Sequence, residues 1–569
     1  MPKTAYELER EAKIARNRAL IEQLDLKNAA ASVTGPTTKT KTSAKPKPPP
    51  KPKAKPVQPI KREKRTVDDT PRRVSARLRK STTIDPDETP ARKRKREQEE
   101  EAQRRREEEE RLAAEELARE TKKPRHGELD LETLLGEEWE SGALAGLNSR
   151  LQAVLQERHP RRTADQDAFV FEKDKNEAVE VAALRERLQD MKIVARAKVT
   201  QDRIYSAAYH PDPTMDLIFF GDKHGQLGIW DPRAPVDDAG EEDNVVNSEQ
   251  RESGKYWRLQ VHWPATSRSS ISCIKFDPID AHNVYTSAYD CTVRSLSFTS
   301  GISREVFAVE KVLITSMDIP PASHELWLSD AEGWLTHLDL REDKSKRRTY
   351  QLSEQKIGCV SVNPINPAFI LTSSNNRTLK VWDVRKLEKL SVQRNGVLEF
   401  ELQDVEQLDK SFFRVGTTTL RAECRHDKSV TSAYWDPRGR SIVSTCYDDA
   451  LRIWDVSPSL MTKDGPFPSF RPLARIRHNC QTGKWVSLFK AQWSQNPDVY
   501  PHFTVGNMDH SLDIFGCKGD RLAKLSDRTK LTAAQAVTCS HPSVVERVAT
   551  GNASGRCVLW APADPDDAE

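Results

Sequence analysis

A seven-bladed β-propeller, an all-β fold, is what this 569-residue sequence predicts, on three observations. A short apolar run, a turn, a second run, a polar tight turn and a third run ending mostly in Trp or Phe recur seven times between Ile204 and Pro562. The runs alternate apolar and polar residues as half-buried strands do. The closing residues are spaced by 42 (Leu296 to Leu338), 44 (Leu338 to Trp382) and 45 (Phe515 to Trp560), which matches the period of one four-stranded WD-repeat blade.

Taken from the N-terminus, Tyr6 to Leu24 carries Leu8, Ile14, Ala15, Ile21 and Leu24 at helical spacing, so residues 1–30 read as a short amphipathic helical motif that needs a partner face. Residues 31–126 are rich in Lys, Pro, Arg and Glu and poor in aromatic and β-branched side chains. Such a basic, charged arm cannot bury enough apolar area to offset its ordering entropy and reads as disordered, with a solvated helix near Glu97 to Glu120. Its blocks Lys61–Arg65 and Arg92–Arg96 have the form of nuclear localisation signals. Residues 127–190 read as a partly helical linker.

The last repeat is followed after Trp560 by a short polar tail with no strand in it. Met191 to Thr200 alternates apolar residues just ahead of the first repeat. It is expected to pair with the last blade, closing the ring and removing its open edges. Within the propeller, residues 191–563, the blades are expected near 204–233, 271–298, 314–341, 357–385, 430–456, 485–519 and 536–562. Longer intervals mark insertions at Pro235–Gly254 and Lys386–Leu420.

Asp290, Glu332, Asp448 and Asp509 each stand six residues before a closing position. In the fifth blade, His426, Ser444, Asp448 and Trp454 are expected to form a buried structural network. An Asp, a His and a Ser could also suggest a hydrolase triad, but a set that recurs blade after blade serves structure, whereas an active site needs it once. The sequence has no phosphate-cradling glycine loop, metal-ligand spacing or nucleophile elbow, so no enzyme, metal or cofactor is expected. The nine cysteines lie within the propeller without a CxxC pair and read as core residues in a reducing compartment. The absence of a secretory leader or membrane-length apolar run predicts a soluble intracellular protein, expected as a monomer.

The segments YELEREAKIARNRALIEQL (from Tyr6), RIYSAAYHP (from Arg203), ISCIKFDP (from Ile271) and RHNCQTGKWVSLFKAQW (from Arg477) together resemble the fungal changed-mutation-rate proteins. These are DNA damage-binding members of the WD-repeat family that includes the small subunit of the human damaged-DNA-binding heterodimer. The resemblance implies a nuclear protein that binds double- and single-stranded DNA, with preference for ultraviolet-damaged duplex. In the human relative a hairpin within the last of these stretches inserts an aromatic wedge, but this chain has Asn479, Cys480 and Gln481 there.

In a propeller, the loops that lead into each first strand and the turns between second and third strands open on one side. Here they hold Lys223, His224, Arg268, Lys311, Lys356, Arg377, Lys428, Lys484 and Arg556, a rim of cations suited to a phosphate backbone. Trp485 and Lys490, in the Arg477–Trp493 stretch, join the candidate DNA-binding set, while Trp493 reads as core. On the opposite side, Arg233, Arg341 and Arg385 close WDxR-like tetrapeptides. This pattern resembles the docking box of substrate receptors for cullin-RING ubiquitin ligases, where a guanidinium fork would engage the adaptor. In ordinary WD repeats the same arginine only pins its loop. The alternative function is therefore an interaction scaffold or ligase substrate receptor, with a ligase adaptor or chromatin proteins as partners.

Overall fold

The computed structural model describes residues 126–136, 142–171, 173–235, 252–394, 397–400 and 419–563. The motif at 1–30, the arm up to residue 125 and most of the acidic insertion lie outside the described residues.

Seven sheets follow one another along the chain. The first strand of each is Ile204–Tyr209, Ile271–Phe276, Ile314–Asp318, Ile357–Val362, Val430–Trp435, Gln492–Trp493 and Gln535–Ser540. The expected alternation holds where a strand has one covered face. Second strands such as Phe369–Ser374 and Ser441–Cys446 are buried throughout, since neighbouring blades cover both sides. The closing Trp230, Trp454 and Trp560 are at most 2% exposed.

Met191–Lys198 closes the ring as expected: it pairs antiparallel with Arg556–Pro562, with Ile193 opposite Trp560 and Lys198 opposite Arg556. The sixth blade departs from expectation, because its first strand is only Gln492–Trp493 and residue 485 belongs to the loop before it. The Lys386–Leu420 insertion is also more than a loop. Val392–Arg394 and Val397–Phe400 form a hairpin, and Val397–Phe400 adds in parallel to Arg348–Gln351, giving the third blade six strands.

In the first and third blades the tight turns are held by carboxylates, and in the fourth and seventh by the side-chain oxygens of Asn376 and Asn552. Asp222 accepts the backbone amides of His224 and Gln226, both at 2.8 Å. In the third blade the acceptor is Asp330, which takes the amides of Glu332 and Trp334 at 2.9 Å, rather than Glu332 itself. A carboxylate at the first turn position faces the amides that follow it, and Glu332 is past that point. Burial pushes the carboxyls of Asp222 and Asp330 up to about 6.

The expected linker, 127–190, is an integral part of the fold. Leu129 and Asp130 pair with Ser303 and Ile302 at the edge of the second blade. Helices α1 (Leu131–Leu135) and α2 (Ala143–Ala153) bury Leu134, Leu147 and Leu151 among Phe219, Trp257 and Ile274 of the first two blades. The Trp257 indole donates to the Ala143 carbonyl at 3.0 Å. Residues 157–168 then cross beneath the ring, and α3 (Asp174–Gln189) sets Leu184 and Leu188 against the sixth and seventh blades.

Candidate nucleic-acid interface

Backbone hydrogen bonds tie the turn between second and third strands to the loop leading into the first strand. Lys223 donates to Arg203, Tyr289 to Ser270, Asn375 to Lys356 and Tyr447 to Ser429, at 2.9–3.2 Å. The two loop classes therefore share one side of the disc, the upper face, and the predicted cations occupy it around the ring. Arg268, Lys311, Arg377, Lys428, Lys484 and Arg556 are exposed, and Lys223 and Lys356 are half-buried.

None of these eight forms an ion pair among the described residues. The Lys356 ammonium instead donates to the Tyr289 hydroxyl at 3.2 Å and lies 5.2 Å from that ring's centroid. His224 differs, since its Nδ1 is 2.7 Å from Asp202. Asp427, beside Lys428, faces Arg475 at 3.6 Å and Arg452 at 4.0 Å.

The loop at 478–491 shapes this face. It is anchored at the fifth blade, where the amides of His478 and Cys480 donate to the backbone and side-chain oxygens of Asp449, both at 3.0 Å. It reaches the first blade, where Arg203 donates to the Lys484 carbonyl at 3.0 Å and the Ser487 hydroxyl donates to the Ile204 carbonyl. Between these anchors Trp485 stands 80% exposed, while Trp493 is 3% exposed and packed on Phe503. Exposing a whole indole forgoes the burial that tryptophan ordinarily gains, so this side chain is free to meet a flat partner. Cys480 is buried and supplies no projecting group. Lys490 does not belong with the rim, because it lines the axial cavity below.

The expected network in the fifth blade forms only in part. His426 Nε2 lies 3.1 Å from the Ser444 hydroxyl, but Asp448 is held by Arg452, with contacts of 2.5 and 3.1 Å. Burial alone would raise the Asp448 pKa, but the hydrogen bond and charge of Arg452, together with hydrogen bonds from Cys446 and the Asp427 amide, lower it. The Trp454 indole packs 6.0 Å from the His426 ring without hydrogen-bonding to it. The complete network is in the second blade, which sequence reasoning missed. There His262 Nδ1 meets Asp290 and Thr292 at 3.0 Å and its Nε2 meets Thr286 at 2.9 Å. All four groups are buried, which fits a structural role.

The WDxR arginines are occupied within the chain. Arg341 pairs with Asp339 at 2.6 Å, Arg385 with Asp383 at 2.8 Å and Arg233 with Asp216 at 2.6 Å. Arg341 and Arg385 pin their own loops, while Arg233 reaches the loop between the first and second strands of its blade, so all three guanidinium groups are engaged by carboxylates of the chain.

The chain is similar to known proteins along nearly its whole length. Residues 345–383 and 418–455 match the family described as WD domain, G-beta repeat. A protein of Cryptococcus neoformans named DNA damage-binding protein CMR1 is 35% identical over 99% of this chain and 99% of its own length. Relatives with that name are 32% identical in Mycosarcoma maydis, over 98% of this chain and 99% of theirs, and 31% identical in Neurospora crassa, over 79% and 82%.

Proposed function

We propose, from the premise that this chain belongs to the family of fungal DNA damage-binding proteins named CMR1, that its upper face is a DNA-binding surface. It is a WD-repeat protein related to DNA damage. The proposed activity is binding without catalysis, in the nucleus, to double- and single-stranded DNA with preference for ultraviolet-damaged duplex.

One observation carries the reading: Trp485, 80% exposed, stands beside Lys484 on the face that also holds the other rim cations. Cations without carboxylate partners can exchange counterions for phosphates, which supplies affinity for any strand. An exposed indole can stack on an unpaired base, and a damaged step is cheaper to unstack than an intact one. Together they favour a duplex already weakened in its stacking.

A competition assay of irradiated against intact duplex tests this, using the chain from residue 126 onward so that the basic arm contributes nothing. The irradiated duplex is expected to compete more strongly, and its advantage to persist as salt rises while total affinity falls. Equal competition at every salt concentration would remove damage preference and leave only charge attraction.

A further inference from the structure

A cavity of about 470 Å³ lies on the axis of the ring, walled by the first-strand regions of the first, second, fifth, sixth and seventh blades. Its floor is the strap at 157–162. The Arg161 amide donates to the Pro278 carbonyl at 2.7 Å, and its guanidinium donates to the Ile319 carbonyl at 3.3 Å and to Gln495 Oε1 at 2.7 Å. One residue thus ties the floor to the second, third and sixth blades. What would be a through-channel becomes a floored pocket.

Cations outnumber carboxylates along this pocket: Arg158, Arg161, Arg162, Lys275 and Lys490 line it together with Glu157 and Asp277. Lys275 lies 3.1 Å from Asp318 Oδ1, whose other oxygen accepts the Val362 amide at 2.8 Å. The Arg161 guanidinium, which donates to the carbonyl of the adjacent Ile319, lies near that carboxylate without an ion pair to it among the described residues. Lys490, on the same lining, has no ion pair or hydrogen bond to its ammonium among the described residues. Lys490 is half-buried, so its ammonium is open to the cavity and can meet an anion that enters it. Ala207, Phe276, Val537 and Cys539 make much of the remaining wall apolar. The size suits a small molecule with an apolar body and one anionic group.

We propose that the axial cavity binds a small organic phosphate, with the phosphate group at Lys490 and Lys275 and the organic body along the seventh-blade wall. The site is separate from the rim, and its occupancy does not depend on whether the rim binds DNA.

Calorimetry of the full chain with adenosine 5′-monophosphate, inorganic phosphate and adenosine tests it. The nucleotide is expected to bind more tightly than either fragment. Lys490→Met should weaken it at least about tenfold, as for loss of one charged hydrogen bond, with the melting temperature of the unliganded protein kept. Trp485→Ala should leave nucleotide binding unchanged. No binding of the nucleotide at millimolar concentration, adenosine binding as tightly as the nucleotide, inorganic phosphate binding as tightly as the nucleotide, or undiminished binding by a folded Lys490→Met protein would each overturn the proposal.

Discussion

Trp485→Ala is expected to weaken binding to single-stranded and ultraviolet-damaged DNA by roughly 5- to 150-fold, the range corresponding to about 1–3 kcal/mol for one stacked base. Thermal stability should hardly change, because an 80% exposed side chain contributes little packing. That separation of effects is what distinguishes a contact residue from a buried one. Trp493→Ala is the contrasting case: its ring is packed on Phe503 and its indole donates to the Tyr434 carbonyl at 3.0 Å. Its loss should cost about 3–5 kcal/mol of stability. Electrophoretic or anisotropy titrations beside melting curves would check both. Unaltered DNA affinity in Trp485→Ala would take the indole out of the interface.

The largest effect on folding is expected from removing the 127–190 extension. A chain beginning at residue 126 should melt within a few degrees of the full protein, while one beginning at 191 should aggregate or melt far lower. The extension buries Leu129, Leu131, Leu134, Leu135, Leu147, Leu151, Val154, Leu184 and Leu188, all at most 8% exposed. At about 1.5–3 kcal/mol for each such side chain, their summed contribution rivals the whole stability of an ordinary domain. Their partners on the first two blades, including Phe219, Trp257 and Ile274, would meet water. The point substitution Leu151→Ala, expected to cost about 2–5 kcal/mol, gives a graded version of the same test. Equal melting temperatures for the two truncations would make the extension a mere tether.

The propeller was legible because each blade repeats the same alternation and the intervals without an insertion between closing residues are 42, 44 and 45 residues. Closure by Met191–Lys198 was legible too, since the last repeat lacked a fourth strand and only this segment offered the right pattern. The extension was not. Leu147 and Leu151 sit on a short helix whose apolar stripe looks like any linker helix until the face it covers is known. The rim cations could be assigned to one face from loop order alone. Lys490 was misassigned because the sixth blade's first strand is short and the preceding loop turns inward, which no local pattern signals. Asp448 illustrates a different limit: its partner was expected to be a nearby histidine, and Arg452, four residues on, competes with a stronger, permanently charged donor.

Salt dependence decides most directly whether the upper face holds DNA. The chain from residue 126 onward should bind duplex with log K falling linearly in log salt, each engaged phosphate contributing about 0.9 to the slope. Replacing Arg268, Lys311, Arg377 and Lys428, all exposed and without ion pairs among the described residues, by glutamine should flatten that slope by about 3–4 without altering the melting temperature. A slope and affinity unchanged by the four substitutions would contradict binding through this rim.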